Sequence, residues 1–436
     1  MPMNPVLPDP LPITPLAKVP RKSVKVPGSK SFTNRAFPIA ALARGPSKLT
    51  GVLDSEDTHL MREALIQLGI PVEYNSAECT AIVDGRGGQI PAREANLFLG
   101  NSGTSMRFLT ALVSLGNGTY RLDGIERMRQ RPMDDLLQAM KDLGVDIRSE
   151  KDNGCPPIII KGGGLTGETA RIRGDISSQF LSGLMIVAPL TARGLTIEVE
   201  GDLVSKPYVD MTLATMTAFD AEFERDGYQR FRFSGLSSGF GGYVGGEYAI
   251  EPDASAASYF FAAAAITGGR VTVEGLGTYS RQGDLQFVYA LERMGCSVDM
   301  KPAQTTLFGG KLVGVDIDMQ DISDTVPTLA AVACFAEGPT TIRHVAHIRH
   351  KETDRISALV QEIRKTGCQV DEFEDGLKIH PPILQAAIFD TYNDHRMAMS
   401  LALLGLRQTG IAIRDPGCTA KTYPGYFADL ARLAEA

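Results

Sequence analysis

The stretch VPGSKSFTNR, residues 26–35, sets Lys30, Ser31, Asn34 and Arg35 directly before AFPIAALA, a run that is nearly all apolar. Small polar residues at the mouth of a buried helix are expected, because their side chains satisfy free backbone N–H groups. Two cations are not, since the helix macrodipole opposes each by about 0.3–1 kcal/mol. An anion bound at the helix start accounts for both, accepting from the N–H groups and neutralising the Lys and Arg. A nucleotide phosphate loop is excluded. That pattern needs a glycine directly before the lysine, and here Ser29 separates Gly28 from Lys30.

The same signature recurs. GNSGTSMR, GDISSQF, EPDASAASYF, DISDTVPT and YNDHRMAM each open a further apolar run with a small polar or acidic cap. Capping accounts for Ser102, Asp253 and Ser255, but not for Lys30, Arg35, Arg107 or Arg396. A second set of loops, DGIERMRQRP, GDLVSKPY, GTYSRQGD, HIRHKETDR and DPGCTAKTYP, supplies Arg131, Lys206, Arg281, Lys351 with Arg355, and Lys421. Such recurrence in a chain of net charge −7 predicts a shared polyanion pocket. The cations exceed what one phosphate needs, so two phosphates, or a phosphate with carboxylates, fit better. Asp324, Glu352 and Asp394 sit among them, where a carboxylate can act as general acid or base. No Cys, His or Ser is placed as an activated nucleophile. The HVAHIRH run (His344, His347, His350) spans a strand-to-loop join and reads as an ordinary polar stretch, not a zinc site.

These residues need a repeating frame to bring them together, and the sequence contains one. An apolar helix, a glycine and an alternating strand recur, with the glycines at 45, 118, 194, 269, 338 and 410, at intervals of 73, 76, 75, 69 and 72 residues. An amphipathic helix follows in each unit, closing at 69, 144, 220, 295 and 367 in the first five. Two helices and about four strands per unit, written six times in 436 residues, predict an α/β fold of two pseudo-three-fold domains. The seam is expected after the third unit, in the Gly-rich stretch 234–248. The acidic balance argues against nucleic acid as a partner. Six scattered cysteines without CxxC pairing read as reduced thiols. No apolar run suits a membrane span. The first twenty residues carry seven prolines and no signal-peptide pattern, and read as an extended tail joining the fold near Lys22.

GSKSFTNR, LFLGNSGTSMR, RMRQRP, ISSQF, GDLVSKPYVDMTL, KETDR, YNDHRMAM and AKTYPGYF resemble, in order from about Val24 to the C-terminus, the motifs of the 5-enolpyruvylshikimate-3-phosphate synthase family. The resemblance implies an inside-out α/β barrel in each of two domains, built from six βαβαββ units, with the active site in the cleft between them. The expected division is a tail at 1–20, one domain at 29–250, and a second formed by 21–28 with 251–436, with hinges near 28 and 250 that let the free enzyme rest open. It further implies transfer of the carboxyvinyl group of phosphoenolpyruvate to the 5-hydroxyl of shikimate 3-phosphate, without cofactor, metal or covalent enzyme intermediate. The protein is then expected to be cytoplasmic and monomeric, and inhibited by glyphosate in competition with phosphoenolpyruvate.

By the same resemblance, shikimate 3-phosphate is held by Lys30, Ser31, Arg35, Ser177, Ser178, Gln179, Ser205, Tyr208, Asp324, His347 and Lys351. Phosphoenolpyruvate is held by Lys30, Asn101, Gly103, Thr104, Arg131, Gln179, Glu352, Arg355, Arg396 and Lys421. Lys30, Asp324, Glu352 and Lys421 are the catalytic set, with Asp324 the base for the 5-hydroxyl and Glu352 the acid at the methylene carbon. Two positions depart from the family pattern: Phe108 stands where proline is common, and His347 where asparagine is. Phe108 is expected to reposition Gly103 and so alter glyphosate sensitivity, while the retained Gly103 favours a sensitive enzyme. A UDP-N-acetylglucosamine enolpyruvyl transferase shares fold and donor but has a reactive cysteine near the second unit, and none lies between Cys79 and Cys155. A non-catalytic phosphometabolite-binding protein has no need of both Asp324 and Glu352.

Overall fold

The computed structural model describes residues 7–239, 241–380 and 384–434. The chain divides into two compact units, one spanning Gly28–Ile250 and the other joining the chain up to Pro27 with everything from Glu251 onward. The Gly-rich stretch before the division is not a slack linker. Tyr243 within it is fully buried and donates its hydroxyl to the Ile186 carbonyl at 2.8 Å.

The Gly28–Ile250 unit holds three four-stranded sheets, each with one parallel and two antiparallel pairings. In the second, Glu94–Phe98 lies parallel to Thr119–Asp123, which pairs antiparallel with Ile158–Lys161, and that strand with Asp146–Ser149. Register places Leu97 beside Leu122 and Leu122 beside Ile158, and all three are buried. Three helices, Lys30–Leu42, Gly103–Val113 and Ser178–Val187, fill the space behind the sheets. Gly103–Val113 is buried at every residue, which is why its sequence shows no polar face. The amphipathic helices differ: Asp134–Asp142 buries only Leu136, Leu137, Ala139 and Met140.

The other unit repeats the plan around Ala254–Thr267, Val326–Ala333 and His395–Ala402. Its first sheet is completed by Arg21–Val24, parallel to Arg270–Glu274, although that strand directly precedes helix Lys30–Leu42 of the Gly28–Ile250 unit. Conversely Glu247–Ala249, which precedes Ala254–Thr267, pairs with Arg44–Thr50. The strand leading into each unit is thus exchanged.

Two sequence expectations need correction. Among the described residues the sixth repeat shows no hairpin of its own and supplies two strands, Ala387–Phe389 and Ile411–Ile413. The missing antiparallel neighbour is Leu11–Pro12, which pairs with Ile413 and Ala412. The Pro-rich stretch therefore joins the fold well before Lys22. Its first six residues lie outside those described, but Leu7, Leu11, Ile13 and Leu16 pack on the core. Ile13 and Leu16 donate their N–H groups to the carbonyls of Ile411 and Leu406 at 2.9 Å. Apolar residues spaced between prolines suit an edge strand, where the absent proline N–H faces no partner. No helix among the described residues is long and apolar enough to cross a membrane.

Deleting residues 1–16 uncovers the Ile411–Ile413 edge and the apolar surface beneath the four aliphatic side chains. At about 1 kcal/mol for each partly buried side chain, the unfolding midpoint of this unit is expected to fall by roughly 8–16 °C in scanning calorimetry. An unchanged midpoint would show the segment to be dispensable.

Candidate active site

In the Gly28–Ile250 unit the expected residues gather at the starts of the three inner helices. Ser29 caps Lys30–Leu42, its Oγ accepting from Phe32 N at 3.4 Å, and Lys30 is the first helical residue, with its side chain 9% exposed. One turn on, Arg35 is 2% exposed. Its Nε donates to Thr212 Oγ1 at 2.8 Å, and its two terminal nitrogens donate to the carbonyls of Ser31 and Tyr208, each at 2.9 Å. Thr212 in turn donates to Ser182 Oγ at 2.9 Å, so Arg35 ties three helices. Its partners are all neutral. Burial lowers the Arg35 guanidinium to about 10, partly offset by Tyr208 and Tyr248, so it remains a cation at neutral pH.

Phe108 stands five residues along the helix that opens at Gly103. Its buried ring lies beneath the Arg35 guanidinium, 5.4 Å from centroid to Cζ, a cation–π support for that cation. Gly103 lies against Arg131. A Cβ placed on Gly103 would collide with the Arg131 guanidinium, so the missing side chain is what lets that group lie across the helix start. Arg131 Nη1 donates to the carbonyl of Asn101 at 3.1 Å and to its Oδ1 at 3.3 Å. Gln179 links the next helix, donating to Thr104 Oγ1 at 3.2 Å, while Ser177 caps by accepting from Gln179 N at 3.3 Å. Ser178 is buried, and Ser205 enters the Lys206–Ala218 helix in a left-handed conformation, φ +56°.

Other cations counted toward the pocket have local employment. Arg107 donates to the carbonyls of Gly103 and Pro132, both at 3.2 Å, and fastens the loop that carries Arg131. That loop is also held by Asp123, which accepts from Arg129 at 2.9 and 2.8 Å and from Gly124 N at 2.7 Å. Burial alone would raise the Asp123 carboxyl, but these bonds and the Arg121 charge hold it below the usual range. Lys206 stands over the Tyr228 ring at 5.8 Å, and Arg281 is exposed, its backbone N bonded to Glu251.

In the other unit the cations and carboxylates are interleaved. Arg355, 1% exposed, donates from Nε to Asp394 Oδ2 at 2.8 Å and from Nη2 to its Oδ1 at 3.2 Å. It also reaches Asp324 at 3.2 Å and Glu352 at 2.9 Å. Burial would lower this guanidinium, but Asp394, Glu352 and Asp324 together raise it above the ordinary arginine value. Arg396 Nη2 pairs with Asp324 at 2.6 Å, Lys351 lies 3.7 Å from Asp324, and Lys421 lies 3.8 Å from Glu352. Four cations against three carboxylates leave this group with a net positive charge of one.

The three carboxylates are not equivalent. Asp394 is fully buried and caps helix His395–Ala402, accepting from Arg396 N at 2.9 Å. Its work is orientation. Asp324 and Glu352 keep 8% and 7% exposure, against none for Asp394. The histidines of HVAHIRH separate: His344 is exposed and 2.7 Å from Asp318, whereas His347 is buried in the turn before Lys351.

The structure adds two residues that the sequence did not offer. Tyr259, buried in Ala254–Thr267, lies 3.4 Å from Arg396 Nη1, and Thr212 anchors Arg35. Thr212 is one of three threonines in Lys206–Ala218 and Tyr259 follows Ser258 in its helix, so no local pattern singles either out.

Comparison with known proteins gives the family. A family described as EPSP synthase (3-phosphoshikimate 1-carboxyvinyltransferase) matches residues 17–430. A 3-phosphoshikimate 1-carboxyvinyltransferase of Nostoc punctiforme is 48% identical over 414 residues, covering 95% of this chain and 96% of the relative. One from Shewanella denitrificans is 45% identical over 414 residues, covering 94% and 96%. Among solved structures, EPSP synthase from Acinetobacter baumannii superimposes with a TM-score of 0.79 at 26% identity, covering 97% of each chain. On this match, which spans nearly the whole sequence, the chain belongs to the EPSP synthase family.

Proposed function

We propose that this chain moves the carboxyvinyl group of phosphoenolpyruvate onto the 5-hydroxyl of shikimate 3-phosphate and releases inorganic phosphate. The observation that carries the assignment of roles is the pair of partly accessible carboxylates, Asp324 and Glu352, inside one cluster with Lys351, Arg355, Arg396 and Lys421. In the first step the 5-hydroxyl oxygen bonds to C2 of phosphoenolpyruvate. Asp324 takes the hydroxyl proton, and Glu352 delivers a proton to the methylene carbon. In the second, the C2–phosphate oxygen bond breaks, phosphate leaves carrying the proton that Asp324 took, and a methyl proton returns to Glu352 as the double bond re-forms. Lys30, Arg131, Arg355, Arg396 and Lys421 stabilise the phosphate and carboxylate charges. Lys351, Arg35 and the Ser31, Ser177, Ser178, Ser205 and Tyr208 groups hold shikimate 3-phosphate. Arg35 supports this reading physically: a buried cation with neutral partners is costly until an anion arrives. On the same reading the protein works as a cytoplasmic monomer in the shikimate pathway, and glyphosate competes with phosphoenolpyruvate beside Gly103 and Arg131.

Phosphate release should require both substrates, each omitted in turn abolishing it. Asp324→Asn and Glu352→Gln are expected to lower kcat by about 10²–10⁴, the usual contribution of a positioned acid or base. Shikimate 3-phosphate should still bind by calorimetry. Full turnover in both variants would remove these carboxylates from the chemistry.

Gly103→Ala tests the Arg131 side. The added methyl displaces the far end of a flexible side chain, so the protein should fold. The KM for phosphoenolpyruvate is expected to rise about tenfold, equivalent to roughly 1.4 kcal/mol, with glyphosate inhibition weakened alongside. An unchanged KM would show that Arg131 does not contact this substrate.

His347 gives a pH dependence of stability. Burial lowers its imidazole from 6.5 to about 3, with the Lys351 charge adding to the effect. Between those values the unfolded chain binds a proton that the folded unit refuses, so stability is full above pH 6.5 and declines as pH falls. His347→Asn should therefore lose less Tm than the unsubstituted protein between pH 7 and about pH 4.5. Parallel losses would assign the acid sensitivity to other groups.

A further inference from the structure

Helix Arg355–Arg364 holds the segment leading into helix His395–Ala402 at two places on one of its faces. The first is Arg355 on Asp394, described above. Seven residues and two helical turns later comes Glu362, a carboxylate only 1% exposed and outside the chemistry assigned so far. Its Oε2 accepts from Asp390 N at 2.9 Å, and its Oε1 accepts from the Tyr392 hydroxyl at 2.7 Å. Lys365 Nζ, 2.7 Å away, pairs with Glu362 and also with Asp390, again at 2.7 Å.

Between these two grips the chain makes an unusual turn. Tyr392 and Asn393 are consecutive left-handed residues, φ +56° and +53°, and neither is glycine. Side chains disfavour that conformation, so it persists only where the surroundings hold it. Local bonding within the turn is limited to Asp394 N donating to the Thr391 carbonyl at 2.9 Å. The Tyr392 hydroxyl, 2.7 Å from Glu362 Oε1 and 3.1 Å from Gln361 Oε1, is a long-range restraint on its near side, and Arg355 on Asp394 one on its far side.

We propose that Glu362 and Tyr392 are positioning residues for the phosphoenolpyruvate side of the site: they hold the Tyr392–Asn393 turn, and through it set Asp394 against Arg355 and aim Arg396. The inference rests on the assignment of Arg355 and Arg396 to phosphoenolpyruvate. It also explains a buried carboxylate that contacts no substrate-side group. Glu362 fixes the backbone at Asp390 and the side chain at Tyr392, and two residues further on Asp394 must meet both Arg355 and the helix start.

Tyr392→Phe deletes one hydroxyl from a ring that is 40% exposed, so folding should be retained. Glu362→Gln removes the buried charge and serves as the second variant, with the double variant completing a cycle. Each single variant is expected to raise the KM for phosphoenolpyruvate at least fivefold, while the KM for shikimate 3-phosphate stays within twofold. The double variant should be no worse than the worse single one, because both remove one device. Amide hydrogen exchange should quicken at residues 392–397 and stay unchanged in the other helices of the unit. A normal phosphoenolpyruvate KM in the folded variants would overturn the proposal, whether or not exchange changed. So would a rise in both KM values accompanied by general loss of exchange protection, which is the signature of a purely structural role. If the unsubstituted protein released no phosphate, the reading of the reaction would fail, and the exchange data would still decide whether this pair holds Asp394.

Discussion

Arg355 is the charge around which half of the candidate machinery is arranged. Taking a guanidinium out of water costs several kcal/mol, and only opposite charges in good geometry offset that. Here Asp394, Glu352 and Asp324 do so, and they come from three different stretches of chain: the start of one inner helix, the loop before the amphipathic helix, and the start of the next inner helix. A buried cation has thus fixed the relative positions of a capping aspartate and two carboxylates with access to ligand. Remove one carboxylate and the rest of the set loses its reason to stay. The remaining positive charge, distributed over Arg396, Lys351 and Lys421, is what an anionic substrate would find.

The Gly28–Ile250 unit meets the same constraint differently. Arg35 is as deeply buried, yet its bonds go to two carbonyls and a hydroxyl, with the Phe108 ring beneath. Neutral acceptors orient the guanidinium without cancelling its charge. The two units, though built on one plan, differ here. One surrounds its central cation with carboxylates; the other sets its cation among neutral acceptors. The divergence also bears on Phe108. Where a proline would only end a turn, an aromatic ring adds a surface on which a buried arginine can rest.

The repeat was legible because its causes are local. Helices buried on all sides have no polar face to interrupt the apolar run, and each amphipathic helix ends where the chain must turn left-handed. Gly69 closes its helix at φ +84°, and Asp220, which breaks the glycine spacing by type, takes the same turn at φ +63°. The helix-start cations were legible too, because the macrodipole makes a lysine or arginine there conspicuous. What such a cation touches was not legible. Arg107 and Arg35 look alike in sequence, but Arg107 fastens its own loop while Arg35 joins three helices. Tyr259, Thr212 and Glu362 escaped for the same reason, since each matters through a partner between 28 and 177 residues away and a period cannot reveal a pairing. The sixth repeat misled in a simpler way. A two-residue strand between prolines carries no strand signal, and only the unpaired edge of Ile411–Ile413 calls for it.

That last pairing ties the end of the chain to its beginning, with a consequence for how the site is completed. Leu11 lies beside Ile413, and two residues on Asp415 donates its N–H to Asp9 Oδ1 at 3.0 Å, with Asp415 itself left-handed at φ +45°. The Pro416–Lys421 turn begins there and delivers Lys421 to Glu352. Every carboxylate that meets Arg355 lies within residues 324–396, whereas Lys421 comes from beyond them. Its turn is fixed on the chain's first strand, so the Glu352 end of the cluster rests on a contact between residues 406 apart, whose loop-closure entropy the bonds made there have to offset.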